Sequence, residues 1–418
     1  MDIKQKLALL QKEVDKINKK YKKKKPASQA QPVELPDFIE EETEYGAVYF
    51  RETPFPLKYQ QGGTYLRETL EAPRHILEFI EPVQDTEDFI PETALFLDTE
   101  TTGLAGGTGT FPFLIGVGFF RERAFTVRQY FAPDYKFEPA ILCHLNKLMK
   151  QFPQLVTFNG KAYDMPLINS RMILNRMRPA VAEPVHLDLL HPARRFWKNT
   201  IESCSLTSLE RNVIGFYREE DIPGFLIPDM YFQYLRDRNF SRLEIVMKHN
   251  LFDIVSMAVL LSRMWAHLEK AGADQLKGCE YFNLARIYEK RKDDENALVN
   301  YEKAMNLDLP PVFRKKGFIK LTKYYKRSFQ WGKAKILWEQ MAREFAFEPR
   351  PFIELAKYYE HQEKNMEKAL DNASHALEII SKRRVLGKNH STCYQEKDKL
   401  QHRINRLMKK MGRNEENR

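Results

Sequence analysis

Hydrophobic and polar positions follow two regimes along the chain: short apolar runs broken by turn residues up to about residue 270, and helical spacing alone beyond it. The run Ala94-Leu95-Phe96-Leu97 has the profile of a strand buried on both faces and ends in Asp98-Thr99-Glu100. Residues 111–120 and 124–131 predict two further strands and residues 139–150 a helix. Residues 155–158 predict a short strand that turns at Asn159-Gly160 into a helix whose first turn carries Asp164; residues 185–190 predict one more strand. Apolar periodicity over 242–268 predicts a single long helix.

Upstream, Ile3, Leu7, Leu10, Val14, Ile17 and Tyr21 recur at alternating four- and three-residue steps, which predicts a basic amphipathic helix that docks on the body or frays. Its Lys22–Lys25 run leads into a Pro/Gln/Ala/Ser-rich linker, so residues 1–36 form a helix and linker. Residues 37–90 show short extended patches at 47–50 and 55–59, a turn at Gly62-Gly63 and a helix near 75–79, and are expected to form a small lead-in module. The main domain is expected over 91–270.

Past Cys279 similar units recur: Leu284-Ala285 with Tyr288, Ala297 and Tyr301; Leu321 with Tyr325, Ala334 and Trp338; Leu355-Ala356 with Tyr359, Ala369 and Ala373. Matched positions lie 34 to 37 residues apart, against the ~34 of a tetratricopeptide repeat. Small residues fall where helices approach closely and aromatics where gaps must be filled, so 275–380 are expected to form tetratricopeptide-like repeats offering a concave face to a protein partner or to nucleic acid. Residues 381–418 are basic, with Leu400, Ile404, Leu407 and Met411 on one stripe, and predict a capping helix with a frayed tail.

Composition narrows the partners. The 67 Lys+Arg exceed the 57 Asp+Glu, giving +10 and a pI near 9.1, which favours polyanions such as nucleic acid. Cys143, Cys204, Cys279 and Cys393 show no C-x-x-C spacing, so neither a zinc site nor a disulfide framework is expected, and a reducing cytoplasm fits. No apolar run approaches about 20 residues and the lysine-rich start lacks an apolar core, so neither a transmembrane helix nor a signal peptide is expected.

The chemistry begins at Asp98 and Glu100. Side chains alternate along a strand, so both carboxylates leave on one side with Thr99 between them. Such a pair repels itself, and a hard divalent cation, Mg2+ or Mn2+, relieves the repulsion. An isolated D-x-E is more often a strand end running into solvent, but this one has partners downstream: Asp164, and the pair His249 and Asp253 four residues apart on one helix face. Gly103, Gly106, Gly107 and Gly109 precede a strand rather than a helix, so they suit a hairpin turn better than a phosphate cradle. His186 and Asp188 share a strand face and fit a polar sheet edge at least as well as catalysis. Around the acids, Thr99, Thr102, Asn159, Lys161 and Asn250 are expected to contact nucleic acid. Arg194 and Arg195, beside Phe196 and Trp197, read either as a backbone clamp with a stacking platform or as a solvated charged turn.

Three strands and then a helix behind an acidic first strand is the order of a ribonuclease H-like fold, a mixed sheet flanked by helices. The acids resemble the DEDD exonuclease superfamily, whose relatives include polymerase proofreading domains: Asp98 and Glu100 match its first motif, Asp164 the second and Asp253 the third. The match departs at the base. The histidine class sets its His five residues before the last Asp, whereas His249 lies four before Asp253, where the tyrosine class has its Tyr. A core of this kind followed by helical repeats resembles the bacterial mitomycin repair exonuclease family. The resemblance implies a metal-dependent 3′-5′ exonuclease, DNA favoured, in a repair pathway beside a superfamily 2 helicase. It also implies that Asp98, Glu100, Asp164 and Asp253 bind two divalent ions, with His249 orienting or deprotonating water. An RNA-trimming exonuclease and a non-catalytic nucleic-acid-binding adaptor are the alternatives. Four clustered carboxylates weigh against the adaptor, which has no use for them.

Overall fold

A computed structural model describes residues 35–71, 89–103, 109–179, 185–272, 275–385 and 391–416. The helix expected over residues 1–25, the helix near 75–79, and Gly106 and Gly107 lie outside the described residues. The described chain divides into two compact units meeting at residues 273 and 274.

The first unit is built on a seven-stranded mixed sheet among the described residues. Its strands are β1 (Ile39–Thr43), β2 (Gly46–Pro56), β5 (Ala94–Thr101), β6 (Pro112–Arg121), β7 (Ala124–Phe131), β8 (Gln154–Thr157) and β9 (Val185–Asp188); β3 (Gln60–Gln61) and β4 (Thr64–Tyr65) form a separate small pair. The order is β1-β2-β7-β6-β5-β8-β9, antiparallel from β1 to β5 and parallel from β5 to β9. The acidic strand β5 is thus central, and Ala94, Leu95, Phe96 and Leu97 are buried. Helices α1 (Glu138–Met149), α2 (Asp164–Leu174), α3 (Leu190–Trp197), α4 (Ile227–Asp237) and α5 (Glu244–Gly272) accompany it.

One expectation changes here. The described part of the expected lead-in module 37–90, residues 37–71, does not stand apart from the main sheet: β2 pairs with β7 from Tyr49 opposite Phe131 to Pro56 opposite Ala124, and Val48 and Phe50 join the common core. A β7 edge left bare would expose unpaired backbone groups, and β2 satisfies them. The long helix α5 belongs to a segment, Phe240–Glu269, whose length and apolarity would suffice to cross a membrane. It is instead a core helix, with Ile254, Val255, Met257, Ala258, Val259, Leu260 and Leu261 all fully buried. Gly116 and Gly118 of β6 make room for it: a Cβ on Gly116 would collide with the Asn250 side chain, and one on Gly118 with Ile254 and Phe125.

The second unit is all helical: α6 (Gly278–Lys290), α7 (Asp294–Met305), α8 (Pro311–Arg327), α9 (Trp331–Glu344), α10 (Pro349–Tyr358), α11 (Met366–Val385) and α12 (Ser391–Glu416), each packed on its neighbour in sequence. Ala285, Ala297, Ala334, Ala356, Ala369 and Ala373 are fully buried, as is Tyr301, with Trp338 nearly so. The last helix docks through Leu400, Ile404 and Leu407, and through Arg403, Arg406 and Lys410, which converge on the buried carboxylate of Glu360.

Candidate active site

The site assembles where β5 ends. The antiparallel β5–β6 pairing confirms the hairpin, with its neck closed by Thr102, whose N–H donates to Phe111 O at 2.9 Å and whose hydroxyl accepts from Phe111 N–H at 3.0 Å. Asp98 and Glu100 are part-buried on one face of β5, while Thr99 points the other way and is buried. The Thr99 hydroxyl donates to Asp164 Oδ1 at 2.5 Å, tying the first helical residue of α2 to the strand.

Helix α5 closes the site from the other side. Asn250 Nδ2 donates to Asp98 Oδ2 at 2.9 Å, and Asn250 is itself oriented by Gln129 Nε2, which donates to its Oδ1 at 2.9 Å. One turn further, Asp253 faces the same space. His249 Nε2 lies 3.4 Å from Asp253 Oδ2 and 3.9 Å from Glu100 Oε1. Ligand atoms of Glu100, His249 and Asp253 all fall within 4.8 Å of one another.

The other face of the imidazole is held from outside. His249 Nδ1 lies 2.6 Å from Asp221 Oδ1; an ionised carboxylate only accepts, so Nδ1 carries a proton and Nε2 is the nitrogen turned toward the acids. Arg218, 2% exposed in its side chain, runs beneath the site. It donates to Glu210 through Nε and Nη2 at 2.8 and 2.6 Å, to Asp253 Oδ1 through Nη2, and to the His249 carbonyl through Nη1 at 3.3 Å. Glu210 also accepts from the Ser256 hydroxyl, which accepts from Gln61 Nε2 at 2.6 Å, so a buried chain of polar groups runs from β3 to the acids.

Electrostatics mark the cluster as short of positive charge. Burial, then the Asp253 and Asp164 carboxylates, hold Asp98 well above the usual carboxylate range; burial, then Asp98, Asp253 and Asp164, do the same to Glu100. Burial pushes Asp164 up to about 6 despite the Thr99 hydrogen bond. For His249 burial opposes the charge, but Asp253 and the hydrogen bond to Asp221 outweigh it and raise its pKa. Carboxylates crowded and desolvated in this way, with nitrogen and oxygen donors converging, suit a divalent cation.

Other expected residues take different roles. Asp188, fully buried, accepts from the backbone N–H groups of Asn159, Lys161 and Leu190 at 2.8 to 3.1 Å, and so shapes the loop in which Asn159 adopts φ +70°. The hydrogen-bonded alternative for that strand face therefore holds; His186, bonded to Thr157 at 2.8 Å, is held down to about 4 by burial and by Lys161. The stacking platform is overturned: α3 is amphipathic, and Phe196 and Trp197 are buried against His267, leaving Arg194 exposed and Arg195 half-buried. Sequence reasoning missed Arg218, Asp221, Glu210 and Gln129. The charged run Arg218-Glu219-Glu220-Asp221 was a signal, but it reads equally as a solvated loop.

This sheet, with its acids at the end of a central strand, fits an RNase H-like domain, and a family model described as RNase_H superfamily matches residues 95–265. Members of that superfamily are generally nucleolytic hydrolases, so the domain is nuclease-like. The chain is also 33% identical over 321 residues to the uncharacterized protein YprB of Bacillus subtilis strain 168, a match spanning 75% of this chain and 74% of the relative. It belongs to that protein's family.

Proposed function

We propose that this protein is a metal-dependent 3′-5′ exonuclease of the DEDD type that degrades DNA in a repair pathway. The observation that carries the reading is the mutual electrostatic coupling of Asp98, Glu100, Asp164 and Asp253, with Glu100 and Asp253 facing the Nε2 of His249. The four carboxylates would hold two divalent ions, Mg2+ or Mn2+. Bound there, such ions supply Lewis acidity and lower the pKa of water. Asn250 and Thr99 fix the orientations of Asp98 and Asp164. His249, held in one tautomer by Asp221, accepts a proton at Nε2.

The 34- to 37-residue offsets, with buried alanines and aromatics at the matched positions, support tetratricopeptide-like repeats in the second unit. That pairing of domains carries the resemblance to the mitomycin repair family, and with it a cytoplasmic, nucleoid-associated site of action and a superfamily 2 helicase as partner.

End-labelled single- and double-stranded DNA and RNA, incubated with Mn2+ with and without EDTA, test the reading. Stepwise shortening from the 3′ end of DNA is expected, abolished by EDTA and by Asp98→Ala or Asp253→Ala. Nuclease activity unchanged in either pure variant would overturn it. For His249→Ala a severe loss of rate with metal affinity largely kept is expected.

A further inference from the structure

The excess positive charge is not spread over the chain. Residues 1–273 carry 35 Lys+Arg against 36 Asp+Glu, whereas residues 274–418 carry 32 against 21. The unit holding the acidic site thus has no net positive charge with which to attract a polyanion, and the helical unit carries the whole excess.

Within that unit the charge concentrates on α8, which carries seven basic residues and no acid over Pro311–Arg327. Lys316, Lys320, Lys323 and Arg327 recur at steps of four, three and four, and so lie on one face. The stripe is about 16 Å long at 1.5 Å per residue, close to the axial length of about five nucleotides at 3.4 Å each. Lys323 and Arg327 also line a groove of about 360 Å3 between α8, α9 and α10, whose rim adds Lys326 and Arg350 and whose floor includes Thr322, Trp338 and Met341.

Some of these cations have partners. Lys320 bridges Glu289 at 2.7 Å, Lys326 bridges Glu354 at 2.6 Å and Arg327 bridges Asp294 at 3.0 Å. Surface bridges of this kind are worth little and yield readily to a phosphate. Lys316, Lys323 and Arg350 are exposed and make no ion pair among the described residues. Cations outside any ion pair, beside a groove lined by Ile319, Trp338, Met341 and the paired Glu354, suit a sugar-phosphate backbone, in which every residue carries a charge at regular spacing and a base that can lie on apolar surface.

We propose that the α8 stripe and its groove bind the phosphate backbone of single-stranded DNA, so that the helical unit supplies the substrate grip that the acidic domain lacks. This rests on the nuclease reading for the identity of the strand, but binding can be measured apart from cleavage.

The test uses the full chain carrying Lys316→Ala, Lys323→Ala and Arg350→Ala together. Removing cations outside any ion pair orphans no acid, although Lys316 gives up its place over the Phe313 ring, and an unchanged Tm checks that the fold is kept. Binding of a fluorescent oligothymidylate in EDTA is followed across a salt series, and hydrolysis of a mononucleotide p-nitrophenyl ester, which offers a single phosphate, is followed with Mn2+. Each lost phosphate contact lowers the slope of log K against log salt by about 0.7. The expected result is a slope shallower by about 2 and affinity at least tenfold weaker at low salt, with ester hydrolysis as in the parent. An unchanged slope and affinity would overturn the proposal, as would a groove that binds polyglutamate in preference to the oligonucleotide. A parent that binds DNA through these residues yet hydrolyses no ester removes the nuclease reading and leaves this one standing.

Discussion

His249 and Asp221 form a side-chain pair, Nδ1 to Oδ1 at 2.6 Å, that turns the imidazole so that Nε2 faces Glu100 and Asp253. A neighbour that orients a histidine in this way is typically worth 10- to 100-fold in activity or metal affinity, as an order of magnitude. Asp221→Ala should therefore lower kcat on end-labelled DNA by about that factor with the fold intact. Asp221→Asn should lose less, because its amide oxygen still accepts the Nδ1 proton. Equal losses in the two variants would show that Asp221 acts through its charge and not by fixing the ring.

The raised carboxylates make stability depend on metal and pH together. Folded Asp98, Glu100 and Asp164 hold their protons to higher pH than the unfolded chain does, so the metal-free fold binds the extra protons between the unfolded carboxylate range near 4 and, for Asp164, about 6. By linkage the metal-free protein gains stability from these groups as pH falls through that window, and above it carries the full repulsion. His186, depressed to about 4, works oppositely over the same range, since the unfolded chain takes its proton first. The difference between melts with and without Mn2+ at each pH cancels His186 and isolates the cluster. That difference should be large at pH 7.5 and shrink as pH falls through about 6. Asp98→Asn should raise metal-free stability at pH 7.5, by on the order of 1 kcal/mol, while abolishing nuclease activity. A lower metal-free Tm in this variant would mean that Asp98 is already compensated without an ion.

Much of this was legible in the residues. The strand ending in Asp98 and Glu100, the turn at Asn159-Gly160 and the helix carrying His249 and Asp253 each follow from local apolar pattern, and the structure has all three. What stayed hidden depends on contacts distant in sequence. Arg218 meets Asp253 across 35 residues and Gln129 meets Asn250 across 121, and neither pairing leaves a periodic trace. The joining of β2 to β7 was hidden for the same reason, because alternation marks a strand but not its neighbour. The stacking platform at Phe196 and Trp197 misled because charge and aromatics were read along the chain, whereas a helix sends those two rings inward.

Arg218 is the cation that makes the acids tolerable before any ion arrives. Its pKa is raised because Asp253 and Glu210 more than offset the burial that opposes its charge. Removing one partner of a buried pair leaves an uncompensated charge and costs about 3 to 5 kcal/mol. Arg218→Met should destabilise the metal-free protein by that order, and Arg218→Lys should recover part of it, since one ammonium cannot fork onto Glu210 and reach Asp253 together. Adding Glu210→Gln to Arg218→Met should restore a substantial share, which thermal or urea unfolding would measure. If the double variant is no more stable than Arg218→Met alone, Glu210 is not the acid that Arg218 neutralises.

Gly116 carries the last consequence. It sits opposite Asp98 in the β5–β6 ladder, and a methyl group there would fall well inside 3 Å of the Asn250 amide. Asn250 is fully buried and bonded to both Gln129 and Asp98, so it has no free rotamer to swing into. In Gly116→Ala either Asn250 abandons Asp98 or α5 lifts from β6, and the two outcomes separate cleanly. Loss of the hydrogen bond alone would lower kcat with little change in Tm, whereas displacement of α5 would carry His249 and Asp253 away from Glu100 and lower metal affinity and Tm together. Because the neighbouring Gly118 already seats Ile254 at the next position along the same strand face, the helix is held at two points. The first outcome is therefore expected: a fall in kcat of about tenfold, the loss of one hydrogen bond to a charged group at 1.5 to 3 kcal/mol taken at its lower end, with Mn2+ affinity from calorimetry nearly unchanged.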